Sequence, residues 1–202
     1  MKKILSISAA LGLCLAATAA YAAPGDQAAA ADKVAKVCQN CHGPNGDSTS
    51  ATFPRLNGQQ AGYIASELKK FRDHSRNDPH AMAYMWGMAS QLDDNGITGI
   101  ADYLAAQKPT QPQTGGTLAA EGKTIYMNGV EAHNVPPCAA CHGDHGEGMG
   151  EFPRLAGQHA DYLKKQLEDF RALVRTNDIM HTNTKDMTDR EIESVVSWLA
   201  NE

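Results

Sequence analysis

Residues 53–72 read FPRLNGQQAGYIASELKKFR, and residues 152–171 read FPRLAGQHADYLKKQLEDFR. At an offset of 99 these segments are identical at eleven of twenty positions, so one module is used twice. The duplication extends outward on both sides. Cys38-Gln39-Asn40-Cys41-His42 lies over Cys138-Ala139-Ala140-Cys141-His142 at offset 100, and residues 92–104 share their apolar pattern with residues 187–199 at offset 95. Between the copies, residues 108–117 (KPTQPQTGGT) can neither continue a helix nor bury a core, which makes them a linker.

At the start of the chain, Lys2 and Lys3 precede an uncharged stretch that ends in Ala20-Tyr21-Ala22, an A-x-A cleavage site. The expected organisation is therefore a signal peptide at 1–22, a first domain at 23–107, the linker at 108–117 and a second domain at 118–202. Removing the signal leaves 16 Lys+Arg against 23 Asp+Glu, a formal charge of −7. Such a surface does not attract nucleic acid. No later segment approaches the roughly 18 apolar residues of a membrane helix. Of five cysteines, Cys14 leaves with the signal and the other four form two pairs.

The spacing of apolar residues predicts helix throughout, three stretches per half, with no period-two strand. In the first half these are 27–41, 60–73 and 94–107; in the second, 118–127, 159–174 and 189–201. Ile97, Ile100, Tyr103 and Leu104 mark one helix face, as do Ile192, Val195, Val196 and Leu199. Thr188 before Asp189-Arg190-Glu191 gives a capping-box start. Halves of about 85 residues bury barely enough apolar surface on their own, and an embedded cofactor would help.

C-x-x-C-H is an attachment signature for c-type haem. Cysteines three apart on a helical turn point to one side, where both can add to the vinyl groups of one porphyrin, and the adjoining histidine stands under the iron. Cys38, Cys41 and His42 make one such site; Cys138, Cys141 and His142 make the other. CxxC also occurs in redox disulfides and zinc sites, but here each copy carries its own histidine and no βαβ setting surrounds it. Ligands repeated in both modules should sit at equivalent positions. At offset 95 Met85 falls on Met180, whereas Met82 falls on Asn177, Met88 on Asn183 and Met187 on Leu92. Met85 and Met180 are thus the paired candidates for the second axial ligand. The segment Asp78–Tyr84 reads as five residues longer than its repeat mate, so the choice of Met85 over Met82 crosses a length difference. Pro54 and Pro153 offer carbonyls to the proximal imidazoles. The remaining histidines have no histidine counterpart in the other copy, and most are expected to face solvent.

Together, the two CxxCH motifs, the FPRLxGQ segment after each, the helices at Tyr63 and Tyr162 and the closing helices resemble the cytochrome c4 family over essentially the whole mature chain. The resemblance implies an all-α fold: two tandem cytochrome c-like domains related by a pseudo-twofold axis, each wrapped around one covalently bound haem. It implies two haem c groups, with the irons held by His42 with Met85 and by His142 with Met180. It also implies a periplasmic monomer that is not an enzyme. Such a protein passes single electrons from a quinol-oxidising cytochrome bc complex to a terminal oxidase, and some members associate loosely with the inner membrane.

A cytochrome subunit of a larger oxidoreductase, such as a flavoprotein sulfide dehydrogenase, would preserve the same motifs. A di-haem peroxidase needs an iron that can open, and paired methionines speak against it. Residues 118–202 carry −6 against −2 for residues 23–107, so a cationic patch on the redox partner is expected to approach the second module.

Overall fold

A computed structural model describes residues 26–111 and 117–202; the expected signal peptide, and residues 112–116 of the expected linker, lie outside them. Among the described residues there is no strand, and two isolated bridges, Val130 with Val135 and Met149 with Phe152, are the only β pairings.

In the first half, α1 (Gln27–Lys33) is capped by Asp26, whose carboxylate accepts from the N–H groups of Ala28 and Ala29. It runs through a π-helical turn, Val34–Cys38, into α2 (Gln39–His42). Gly43 ends α2 at φ +73°, where a Cβ would lie 2.3 Å from the carbonyl oxygen of Asp47. There follow α3 (Ala61–Arg72), a second π turn (Ala81–Met85) leading into α4 (Trp86–Ala89), and α5 (Asp94–Ala105). The second half repeats the plan with α6 (Ala119–Asn128), α7 (Ala139–His142), α8 (Ala160–Arg171), α9 (Asp178–Thr184) and α10 (Asp189–Leu199). Thr188 and Glu191 form the expected reciprocal capping box. Both methionine-bearing segments are helical, which apolar spacing did not reveal.

In each half the first helix crosses the last, α1 on α5 and α6 on α10, and small residues permit it. A Cβ on Gly99 would stand 3.2 Å from that of Ala30, while a Cβ on Gly122 would lie 1.8 Å from the carbonyl oxygen of Ser194. The glycine has changed sides of the crossing between the copies. Ile97, Ile100 and Leu104 are buried in one core and Ile192, Val195, Val196 and Leu199 in the other, each contributing roughly 1.5–3 kcal/mol.

Equivalent bonds fix the register of the duplication. Asp78 caps Ala81 N–H as Asn177 caps Met180 N–H, at offset 99. Arg72 reaches the Leu92 carbonyl and Asp94 as Arg171 reaches the Met187 carbonyl and Asp189, which are at offset 95. The first half therefore carries four extra residues between Ala81 and Leu92, about one helical turn, against the five read from the sequence over Asp78–Tyr84. The π turn Ala81–Met85 lies within that longer segment.

Candidate functional site

Cys38, Cys41 and His42 sit where α1 passes into α2, and Cys138, Cys141 and His142 on and just before α7. His42 and His142 are buried, yet each ring finds one partner. His42 Nδ1 lies 2.9 Å from the Pro54 carbonyl oxygen and His142 Nδ1 lies 3.0 Å from that of Pro153. A carbonyl only accepts, so Nδ1 carries the proton and Nε2 keeps its lone pair for a metal. Burial lowers the pKa of both imidazoles, keeping them neutral as a ligand must be. Burial also pushes the Cys38 thiol up, and that of Cys138 to about 11.

Both motifs open on one continuous chamber of about 540 Å³. Its wall includes Met85 and Met180, and the paired residues around them: Tyr84 with Ile179, Met88 with Asn183, Leu92 with Met187. Met82 is exposed and does not line it, whereas Met88 does while remaining largely exposed. Ile64, Leu68 and Phe71 supply apolar wall in the first half, as Leu163, Leu167 and Phe170 do in the second. A flat apolar macrocycle with an iron at its centre fits this chamber: two thiols and an imidazole nitrogen open on it in each half, and a thioether is available within reach of the same space.

The remaining histidines face solvent less than expected. His74, stacked on Trp86 at 3.9 Å, and His145 are exposed. His133 pairs with Glu191, His181 Nδ1 donates to the Phe170 carbonyl, and half-buried His80 lines the chamber.

Sequence reasoning missed the junction between the halves. Gln59 and Gln158, the last residues of the FPRLxGQ segments, each bind the opposite backbone: Gln158 accepts from Arg55 N–H at 2.9 Å and donates to its carbonyl at 2.9 Å, and Gln59 does the same to Arg154 at 2.6 and 2.8 Å. Gln60 donates to the Glu147 carbonyl, and its counterpart His159 to that of Ser48, both at 2.9 Å. These bonds obey a pseudo-twofold axis. Identical polar residues in both copies, each also accepting from the N–H of the next residue in its own copy, were the available signal. Of the expected linker, Lys108 and Thr110 are bound by Asn57 of the first half.

The family profile described as Cytochrome c matches this chain twice, over residues 27–108 and 119–201. A cytochrome c-552 from Acidithiobacillus ferridurans is 40% identical over 193 residues, covering 94% of this chain and 84% of that protein. A thiosulfate dehydrogenase electron acceptor from Thiomonas intermedia is 35% identical over 208 residues, covering 99% and 91%. The solved structure of Acidithiobacillus ferrooxidans cytochrome c4 superposes with a TM-score of 0.78 at 40% identity, covering 82% of this chain and 98% of that one. Doubled CxxCH motifs, a shared chamber and these likenesses lead to one assignment: the chain belongs to the cytochrome c4 family of electron-transfer proteins and carries two covalently bound haem c groups.

Proposed function

We propose that this protein is a periplasmic carrier, exported by residues 1–22, that takes single electrons from a quinol-oxidising cytochrome bc complex and delivers them to a terminal oxidase. The observation that carries the reading is that Met85 and Met180, equivalent in the repeat, line the same chamber as two carbonyl-oriented histidines. Haem c, when bound, supplies an iron that changes charge by one electron. In this reading Cys38 and Cys41, and Cys138 and Cys141, hold the two groups covalently. His42 and His142 bind iron through Nε2, and the carbonyls of Pro54 and Pro153 keep their rings from turning. Met85 and Met180 would each give the iron a soft, neutral sulfur, which raises the potential relative to a second histidine. An iron held by both an imidazole and a thioether would offer no position to oxygen or peroxide. The domains are bounded at 23–107 and 118–202, and the protein acts as a monomer. Among the described residues no helix is long and apolar enough to cross a membrane, which suits a carrier with at most loose membrane association.

A second reading, as the cytochrome subunit of an oxidoreductase, is favoured by the Thiomonas relative, whose name makes it the acceptor of a thiosulfate dehydrogenase. An optical redox titration with pyridine haemochrome counting tests the ligation: two haems and two closed iron centres are expected, and fewer would end it. Recovery from the periplasm without a fixed partner supports the carrier, and a stoichiometric dehydrogenase partner supports the subunit.

A further inference from the structure

Three histidines line the chamber, His42, His80 and His142, and two irons need only two of them as their first ligand. His80 is the third. It is half-buried, its ring meets Tyr84 edge-on at 5.6 Å, and Tyr84 meets Phe53 at 5.3 Å, which meets His42 at 6.1 Å. His42 and His142 commit Nδ1 to a carbonyl, but among the described residues neither nitrogen of His80 has a hydrogen-bond partner.

The backbone explains why it stands there. His80 immediately precedes the π turn Ala81–Met85, in which Trp86 N–H reaches back five residues to the Ala81 carbonyl. Such a turn brings side chains five apart to one side, where an α-helix would set them roughly 140° apart. His80 and Met85 are five apart and line the same chamber. The second half lacks the extra residues, and five positions before Met180 it carries Arg175. That guanidinium closes a buried ring instead: Arg175 and its equivalent Arg76 each donate to both Glu67 and its equivalent Gln166, at 2.6–3.1 Å. His181 donates to the Phe170 carbonyl and stays off the chamber wall.

The two methionines are held unequally. Met180 N–H is bound by Asn177 Oδ1 at 3.0 Å, and its carbonyl accepts from the buried hydroxyl of Thr184 at 2.7 Å. In the first half the cap falls on Ala81, four residues short of Met85, and Ala89 stands in the place of Thr184. Among the described residues no side chain bonds to the Met85 backbone. Gly87 sits in α4 with open space about it where Thr182 sits in α9, and glycine weakens a helix. Trp86 on the Arg76 carbonyl at 2.8 Å is matched by His181 on the Phe170 carbonyl at 3.0 Å, so neither half gains from these anchors.

We propose that His80 is a reserve ligand for the first-half iron: when Met85 lets go of the ferric metal, the imidazole of His80 takes its place. One Fe–S bond breaks and one Fe–N bond forms; no electron moves, and the ring enters neutral with its other nitrogen protonated. Ferric iron is a harder acid than ferrous iron, so it gives up a thioether more readily and accepts an imidazole. Met88 also lines the chamber, but as a second thioether it has no such advantage. The exchange keeps oxygen and peroxide out of the half whose methionine is less firmly held. This deepens the carrier reading and rests on its assignment of Met85.

Ferric spectra of the full-length protein carrying both haems test the assignment. Met85→Ala should lose half of the sulfur-to-iron charge-transfer absorption yet stay wholly low-spin, with the electron paramagnetic resonance signature of two axial imidazoles at one haem. Met180→Ala should lose the same half and leave one haem high-spin. Adding His80→Gln to Met85→Ala should make the first haem high-spin as well. On reduction, carbon monoxide, the stronger ligand for ferrous iron, displaces the imidazole of Met85→Ala. In the unmodified ferric protein, urea below the unfolding midpoint should remove half of the sulfur absorption before any high-spin signal appears; the reverse order would overturn the proposal. So would high-spin iron in ferric Met85→Ala, full sulfur absorption in that variant, which would give the place to Met88, or a double variant that stays low-spin. Should the double variant lose haem, the resonance signature of Met85→Ala decides. An open or missing centre in the unmodified protein counts against the carrier reading; two closed centres there, with high-spin iron in Met85→Ala, count against this inference alone.

Discussion

Gln59 and Gln158 hold each other's domain by the same pair of bonds: the side-chain amide of each occupies both the N–H and the C=O of the arginine that opens the other's loop. Both glutamines are 7% exposed. A side chain is here doing what a neighbouring strand does in a sheet.

Gln158→Leu should therefore leave the Arg55 N–H and carbonyl without partners in a place water barely reaches. The expected loss is about 1–3 kcal/mol of stability, seen as a lower urea midpoint with both haems retained. A midpoint unchanged from the parent would show that the junction contributes little.

Met85→Ala should open one iron of the two, producing carbon monoxide binding at half the haem of the reduced protein. Met82→Ala should leave the spectrum as it is, because that side chain is 46% exposed and stands off the chamber wall. The reverse outcome would transfer the ligand role to Met82.

Gly122→Ala should destabilise the second half by about 1–3 kcal/mol, since its methyl group would meet Ser194 backbone at 1.8 Å. Gly99→Ala meets the Ala30 side chain at 3.2 Å and Asp26 backbone only at ordinary contact, from 3.5 Å, and should be the milder change. Thermal denaturation of the two variants compares the crossings directly.

Burial pushes the Glu67 carboxyl up, but Arg175, Arg76 and Lys70 outweigh it and hold the pKa at about 2 against an ordinary 4.5. A depressed carboxylate contributes stability that is complete above its unfolded pKa and is lost as pH falls through the folded one. The protein should lose about 3 kcal/mol from this group between pH 5 and pH 2. Glu67→Gln should flatten that limb of an acid titration while lowering stability at neutral pH.

His159 is lowered by burial and then by the Arg55 guanidinium, with the bond to the Ser48 carbonyl, then Asp161 and Asp47, opposing. Its unfolded form binds more protons below about pH 6.5, so junction stability should decline as pH drops through that region. His159→Gln, which copies the counterpart Gln60, should keep the bond to Ser48 and remove the decline.

The helices and the CxxCH sites were legible because their causes are local. Four-residue apolar spacing fixes a helix face, and the chemistry of thioether attachment needs five consecutive residues. The helix bearing Met180 had a start signal, Asn177 before Asp178, that apolar counting overlooks. The ring of Arg76, Glu67, Arg175 and Gln166 was not legible, because no periodicity brings together side chains almost a hundred residues apart. Only the axis relating the copies does so. What the repeat did offer was a comparison of equivalents, and the places where it changed a carboxylate into an amide were readable once that axis was known.

The chamber has no partition, and this gives the two halves a shared inheritance. A chain cut in the linker would yield two bowls rather than two closed vessels, each missing the wall that the other supplies. Duplication here did more than double the number of redox centres. It turned a former outer surface into an inner one, a wall to which both copies contribute side chains.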